Sequence, residues 1–95
     1  MSYSTERVEG TDCGKVLLFA LSTCVWCKKA RRLLKKLGVA YEFVYVDTLS
    51  GEDQQNAKSD VKKWNKKVSY PTLVVNDKDC VVGFSESKIK KALGL

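Results

Sequence analysis

The sequence has no histidine and a single proline, Pro71, among its 95 residues. Without histidine, mixed cysteine–imidazole zinc sites are excluded, and a structural zinc would need all four cysteines. Those four are one C-x-x-C pair, Cys24 and Cys27, and two isolated residues, Cys13 and Cys80. Structural zinc usually takes two such pairs, so no metal is expected. Cys80 reads as a core residue and Cys13 as an incidental free thiol. Long apolar runs are also missing. The longest, Val16 to Leu21, has strand length and falls far short of the roughly 18 residues of a membrane span. The polar start, with Glu6, Glu9 and Asp12, lacks the apolar stretch of a secretory signal. The expected compartment is therefore the cytoplasm, where thiols are kept reduced and paired cysteines point to redox or metal chemistry.

Acidic residues are absent between Asp12 and Glu42, although the net charge is only +6. Lys28, Lys29, Arg31, Arg32, Lys35 and Lys36 crowd that interval. Such a run reads as a solvated helix face that can also attract an acidic partner. No aromatic residues interleave with it as a base-stacking platform requires, so nucleic acid is not an expected partner. A membrane partner is not expected either, and no apolar stripe demands a second copy, so the chain reads as a monomer.

What is present suits one small α/β domain. The apolar fraction of 44% is ordinary for a globular chain. Residues 1–14 read as a flexible tail and residues 15–95 as the domain. Lys15 leads into Val16 to Leu21, a continuously apolar run, as in a central strand covered on both faces. After Ser22 and Thr23, the apolar positions Cys27, Ala30, Leu33, Leu34 and Leu37 fall on one helix face, with Gly38 placed to end the helix. Tyr41 to Val46 is aromatic and β-branched, hence a second strand, and a strand–helix–strand unit implies parallel pairing. A weaker helix follows over Glu52 to Trp64. Thr72–Val75 and Cys80–Val82 flank Asn76-Asp77-Lys78-Asp79 as a hairpin, and Ser85 is placed to cap a last helix. The expected order is β-α-β-α-β-β-α, a four-stranded mixed sheet flanked by helices.

The C-x-x-C pair gains meaning from its place at the junction of the first strand and the first helix. There the unpaired N–H groups and the helix dipole favour an anion beside Cys24, and a thiolate is the nucleophilic form of cysteine. Cys27 lies one turn later on the packed side. The pair thus reads as a nucleophile, Cys24, with a resolving partner, Cys27, able to form a redox-active disulfide.

Three motifs in order carry a family resemblance. They are Cys24-Val25-Trp26-Cys27, Tyr70-Pro71-Thr72 before the third strand, and Val82-Gly83-Phe84-Ser85 before the last helix. Together they resemble the glutaredoxin branch of the thioredoxin superfamily, from about Lys15 to the C-terminus. The resemblance implies a cis Pro71 beside the dithiol, with Tyr70 offering its backbone to an extended substrate. It further implies that Trp26, Gly83, Phe84 and Ser85 border the same groove, with Glu86 at the adjoining helix end. The departures are informative. Leu21 stands where glutathione-using members carry a basic residue, Val82-Gly83 replaces a Gly-Gly pair, and Val25 replaces the proline between the cysteines. These argue for protein disulfides as substrates over glutathione mixed disulfides, and no cofactor is expected. They place the chain near the members reduced by a thioredoxin-reductase-like or ferredoxin-linked reductase, some of which donate electrons to another reductase. The alternative within the resemblance is a [2Fe–2S] cluster carrier, ligated through the first cysteine and glutathione.

Overall fold

A computed structural model describes residues 3–95. Its elements in chain order are β1 (Glu6–Val8), β2 (Val16–Ala20), α1 (Val25–Leu37), β3 (Tyr41–Tyr45), a single 3-10 turn (Val46–Thr48), α2 (Gly51–Trp64), β4 (Thr72–Val75), β5 (Asp79–Val82) and α3 (Glu86–Ala92). The sheet runs β1-β3-β2-β4-β5, with β2 and β3 parallel and every other pairing antiparallel. The parallel pair brackets α1, as a strand–helix–strand unit requires.

All five residues of β2 are buried, and their alternation explains the unbroken apolar run. Leu18 and Ala20 point to a core completed by Ala30 and Leu34 of α1 and Ile89 of α3. Leu17 and Phe19 point to the opposite core, against Ala57 and Val61 of α2. Successive strand residues face opposite sides, so a strand between two helical layers has no polar positions to spare.

The sheet has five strands where the sequence reading has four. The fifth, β1, comes from the segment 1–14 read as a tail, of which residues 1 and 2 lie outside the described residues. Its Glu6, Arg7 and Val8 pair antiparallel with Phe43, Glu42 and Tyr41 of β3. The strand is short, polar and at the sheet edge, so neither length nor apolar alternation marks it in sequence. Tyr3 is also buried, and its hydroxyl donates to Asp60 of α2 at 2.6 Å. Behind β1, Thr11 N–H donates to Gly38 O at 2.7 Å and Ala40 N–H to Thr11 O at 2.8 Å, strapping the segment across the end of α1.

Candidate active site

Helix α1 starts at the dithiol because Cys24 is its N-cap. Cys24 has extended backbone, φ −86° and ψ 118°, and its Sγ accepts the N–H of Cys27 at 3.2 Å. A cap side chain occupies one of the N–H groups that a helix start leaves without an intrahelical partner. Here that acceptor is sulfur, and a negative sulfur at this place gains a charge-assisted bond. Lys28 N–H closes the first turn on Cys24 O at 3.1 Å. Val25 and Trp26, between the two cysteines, are exposed.

The two thiols are free and differ in access. Cys24 is half-buried at the surface, whereas Cys27 is 1% exposed within the core that α1 shares with the sheet. Burial, reinforced by the Cys24 sulfur, pushes the Cys27 thiol up to about 12, and the Asp47 carboxylate adds to that rise. The arrangement makes one thiol reachable and holds the other protonated behind it.

Around this pair the fold assembles a groove. The Tyr70–Pro71 bond is cis, as the resemblance implies, and Gly83 N–H donates to Pro71 O at 2.8 Å. Trp26 stacks on Phe84 with ring centroids 6.0 Å apart, and Lys29 Nζ lies 4.3 Å from the Trp26 centroid. Trp26, Tyr70, Pro71, Gly83 and Phe84 line a shallow cavity of about 230 Å³. Of the residues expected at the groove, Ser85 stands apart: it caps α3, its hydroxyl accepting Lys88 N–H at 3.5 Å. Glu86 is exposed in the first turn of α3.

Sequence reasoning missed Asp47. Its two carboxylate oxygens accept the backbone N–H and the hydroxyl of Ser22, at 2.9 and 2.6 Å. The Ser22 contacts hold the Asp47 carboxyl below its ordinary range. Asp47 thereby ties the end of β3 to the loop that delivers Cys24, and its negative charge adds to the raised pKa of both Cys27 and Tyr70. The partner lies 25 residues away in sequence, so nothing local announced it. A second cavity of about 400 Å³ opens beside it, lined by Leu21, Asp47, Gln54, Lys58 and Tyr70 among others. The Tyr70 hydroxyl is buried without a hydrogen-bond partner among the described residues, and burial raises its pKa. Leu21 contributes an apolar wall there.

Cys13 and Cys80 lie elsewhere. Cys13 precedes β2, and Cys80 on β5 directs its thiol to Trp64 O at 3.8 Å. Among the described residues, no three histidine, cysteine, aspartate or glutamate side chains converge.

The glutaredoxin family model matches residues 16–80. A solved glutaredoxin from Methanosarcina mazei superposes with a TM-score of 0.91 at 46% identity, covering 96% of this chain and 88% of that one. The methanoredoxin of Methanosarcina acetivorans does so with a TM-score of 0.90, also at 46% identity, covering 98% and 97%. A glutaredoxin-like 8.6 kDa protein from the rubredoxin operon of Clostridium pasteurianum is 26% identical, over 82% of this chain and 96% of its own length.

Proposed function

This chain belongs to the glutaredoxin family, and from that premise we propose that it is a cytoplasmic dithiol oxidoreductase that reduces protein disulfides through Cys24 and Cys27. The observation that carries the reading is the asymmetry of the pair: an accessible sulfur capping a helix, and a buried, protonated one a turn behind it.

Cys24, as thiolate, attacks one sulfur of the substrate disulfide. A Cys24–substrate bond forms, the substrate S–S bond breaks, and the departing substrate thiolate takes a proton. Cys27 then gives up its proton and attacks the Cys24 sulfur. The intramolecular disulfide forms and the second substrate thiolate leaves, to be protonated in turn. The substrate gains two electrons from the Cys24–Cys27 pair and two protons, one from Cys27 and one that solvent took up when Cys24 ionised. Burial keeps Cys27 protonated until a mixed disulfide stands in front of it, which confines its reactivity to resolution. The cavity of Trp26, Tyr70, Pro71, Gly83 and Phe84 supports an extended substrate segment lying beside Cys24, with the Tyr70 backbone as the pairing edge. A thioredoxin-reductase-like or ferredoxin-linked reductase restores the dithiol, since Leu21 and Val82 leave glutathione poorly held.

The test is turnover of a protein disulfide by the wild type, Cys24→Ser and Cys27→Ser, driven in separate arms by glutathione with its reductase and by a thioredoxin reductase. Both variants are expected to lose turnover, and the thioredoxin-reductase arm to outpace the glutathione arm. Wild-type turnover by Cys27→Ser would refute the dithiol mechanism. Reduction by glutathione alone, at full rate, would refute the assignment of the reductant.

A further inference from the structure

Helix α1 carries cations where a helix gains least from them. Its first turn holds no acidic residue, although carboxylates belong there and cations belong at the other end. Lys35 and Lys36 in the last turn suit the helix dipole. Lys28, Arg31 and Arg32 have no such account. None of the three ion pairs among the described residues involves α1. The positive charge on this face is therefore unneutralised within the described chain.

The cations are also arranged. Positions 28, 31, 32 and 35 share one face of the helix, and with Tyr41 they line a groove of about 220 Å³. Its floor is fixed by Arg31, whose guanidinium lies 3.7 Å from the Phe43 ring centroid. Arg31 Nε donates to the Tyr41 hydroxyl at 3.3 Å, and Nη1 donates to the Tyr45 hydroxyl at 2.6 Å. Those two bonds leave further donors of the guanidinium unused, on a side chain already held in place. Cys24 caps α1 and precedes Lys28 by one helical turn, so the groove begins one turn along the helix from the reactive residue.

We propose that this groove docks a run of carboxylates flanking the disulfide of the protein substrate, making acidic protein disulfides the preferred substrate class. The inference rests on the disulfide-exchange reading and adds to it a partner chemistry. At 1.5 Å of rise per residue, Lys28 lies about 6 Å and Lys35 about 16 Å along the helix from Cys24. An extended chain covers about 3.3 Å per residue, so the carboxylates fall about two to about five residues from the attacked cysteine. Recognition of this kind acts mainly on encounter rate and is screened by salt.

The experiment uses disulfide-closed peptides that differ only in carrying Glu or Gln at those positions. Hydroxyethyl disulfide serves as a neutral control, and Arg32→Glu/Lys35→Glu as the variant. At low salt the wild type is expected to reduce the Glu peptide about tenfold faster than the Gln peptide, and to lose that preference near 1 M salt. The double variant is expected to lose or invert the preference while reducing the neutral disulfide at the wild-type rate. Serine-for-cysteine peptides, titrated against the isotope-labelled protein, report docking without chemistry, with shifts expected along α1 for the Glu form alone. Equal rates for the two peptides, or serine peptides that leave α1 unmoved, would overturn the inference. So would an oligothymidylate that displaces the Glu peptide at lower concentration than the peptide itself needs. Failure on the neutral disulfide would instead refute the exchange reading, with the serine titration still deciding the docking.

Discussion

Cys27 pairs near-complete burial with a thiol raised to about 12, and this gives the reduced protein an alkaline weakness. An ordinary thiol ionises near 9.0. Below that pH, folded and unfolded chains both keep the proton and the group has no effect. Between about 9.0 and about 12 only the unfolded chain releases it, so folding stability falls as pH rises through that window. Denaturant melts from pH 8 upward are expected to show this loss in the reduced wild type. They should show less of it in the oxidised protein and in Cys27→Ser, which lack that thiol, and what remains there comes from Tyr3, Tyr70 and Cys80, whose burial also raises their pKa. Asp47 acts on the same thiol more weakly, as its carboxylate is the last of the influences that raise it. Asp47→Asn removes the charge, so thiolate absorbance in the reduced protein is expected to rise at lower pH. An unmoved titration would show that the contact with Ser22 only shapes the loop. The C-x-x-C pair was legible from its spacing together with its place between the first strand and the first helix. Asp47 was not, because its role comes from a strand end meeting a distant loop.

At the scale of elements, β2 and α1 were legible because each repeats its pattern over several residues. The run of β2 is continuous because both faces are covered, and the stripe of α1 ends where Gly38 turns the chain at φ 71°. Leu18, wholly buried in the central strand, is expected to cost about 3 kcal/mol as Leu18→Ala, read from chemical denaturation. The β1 strap was not legible, since three half-polar residues carry no periodicity. Its geometry rests on Gly10, where an added Cβ would lie 2.6 Å from Gly38 O and from the Val39 carbonyl carbon. Both contacts are backbone and cannot swing aside. Gly10→Ala is therefore expected to loosen the strap, with faster hydrogen exchange at Thr11 and Ala40 while the amides of β2 stay protected. Unchanged exchange at Thr11 and Ala40 would show that the strap tolerates the extra carbon.

Across the whole molecule, the sheet order places the Cys24 loop, the Tyr70–Pro71 turn and the Gly83–Phe84 corner side by side. They come from three separate stretches of sequence, at the ends of β2, β4 and β5. The motifs were visible one at a time, but their convergence follows from β2 and β4 being antiparallel neighbours, which no single segment states. The net charge was legible as well. Its local form, an Arg31 floor on Phe43 with cations around it, needed the folded chain. In the proposed mechanism Cys24 takes the substrate and Cys27 releases it. The most direct measurement is mass mapping of Cys27→Ser after mixing with a protein disulfide. The expected result is one stable mixed disulfide, on Cys24, that persists because no thiol resolves it. A substrate adduct on Cys13 or Cys80, or free reduced substrate with no adduct at all, would contradict it.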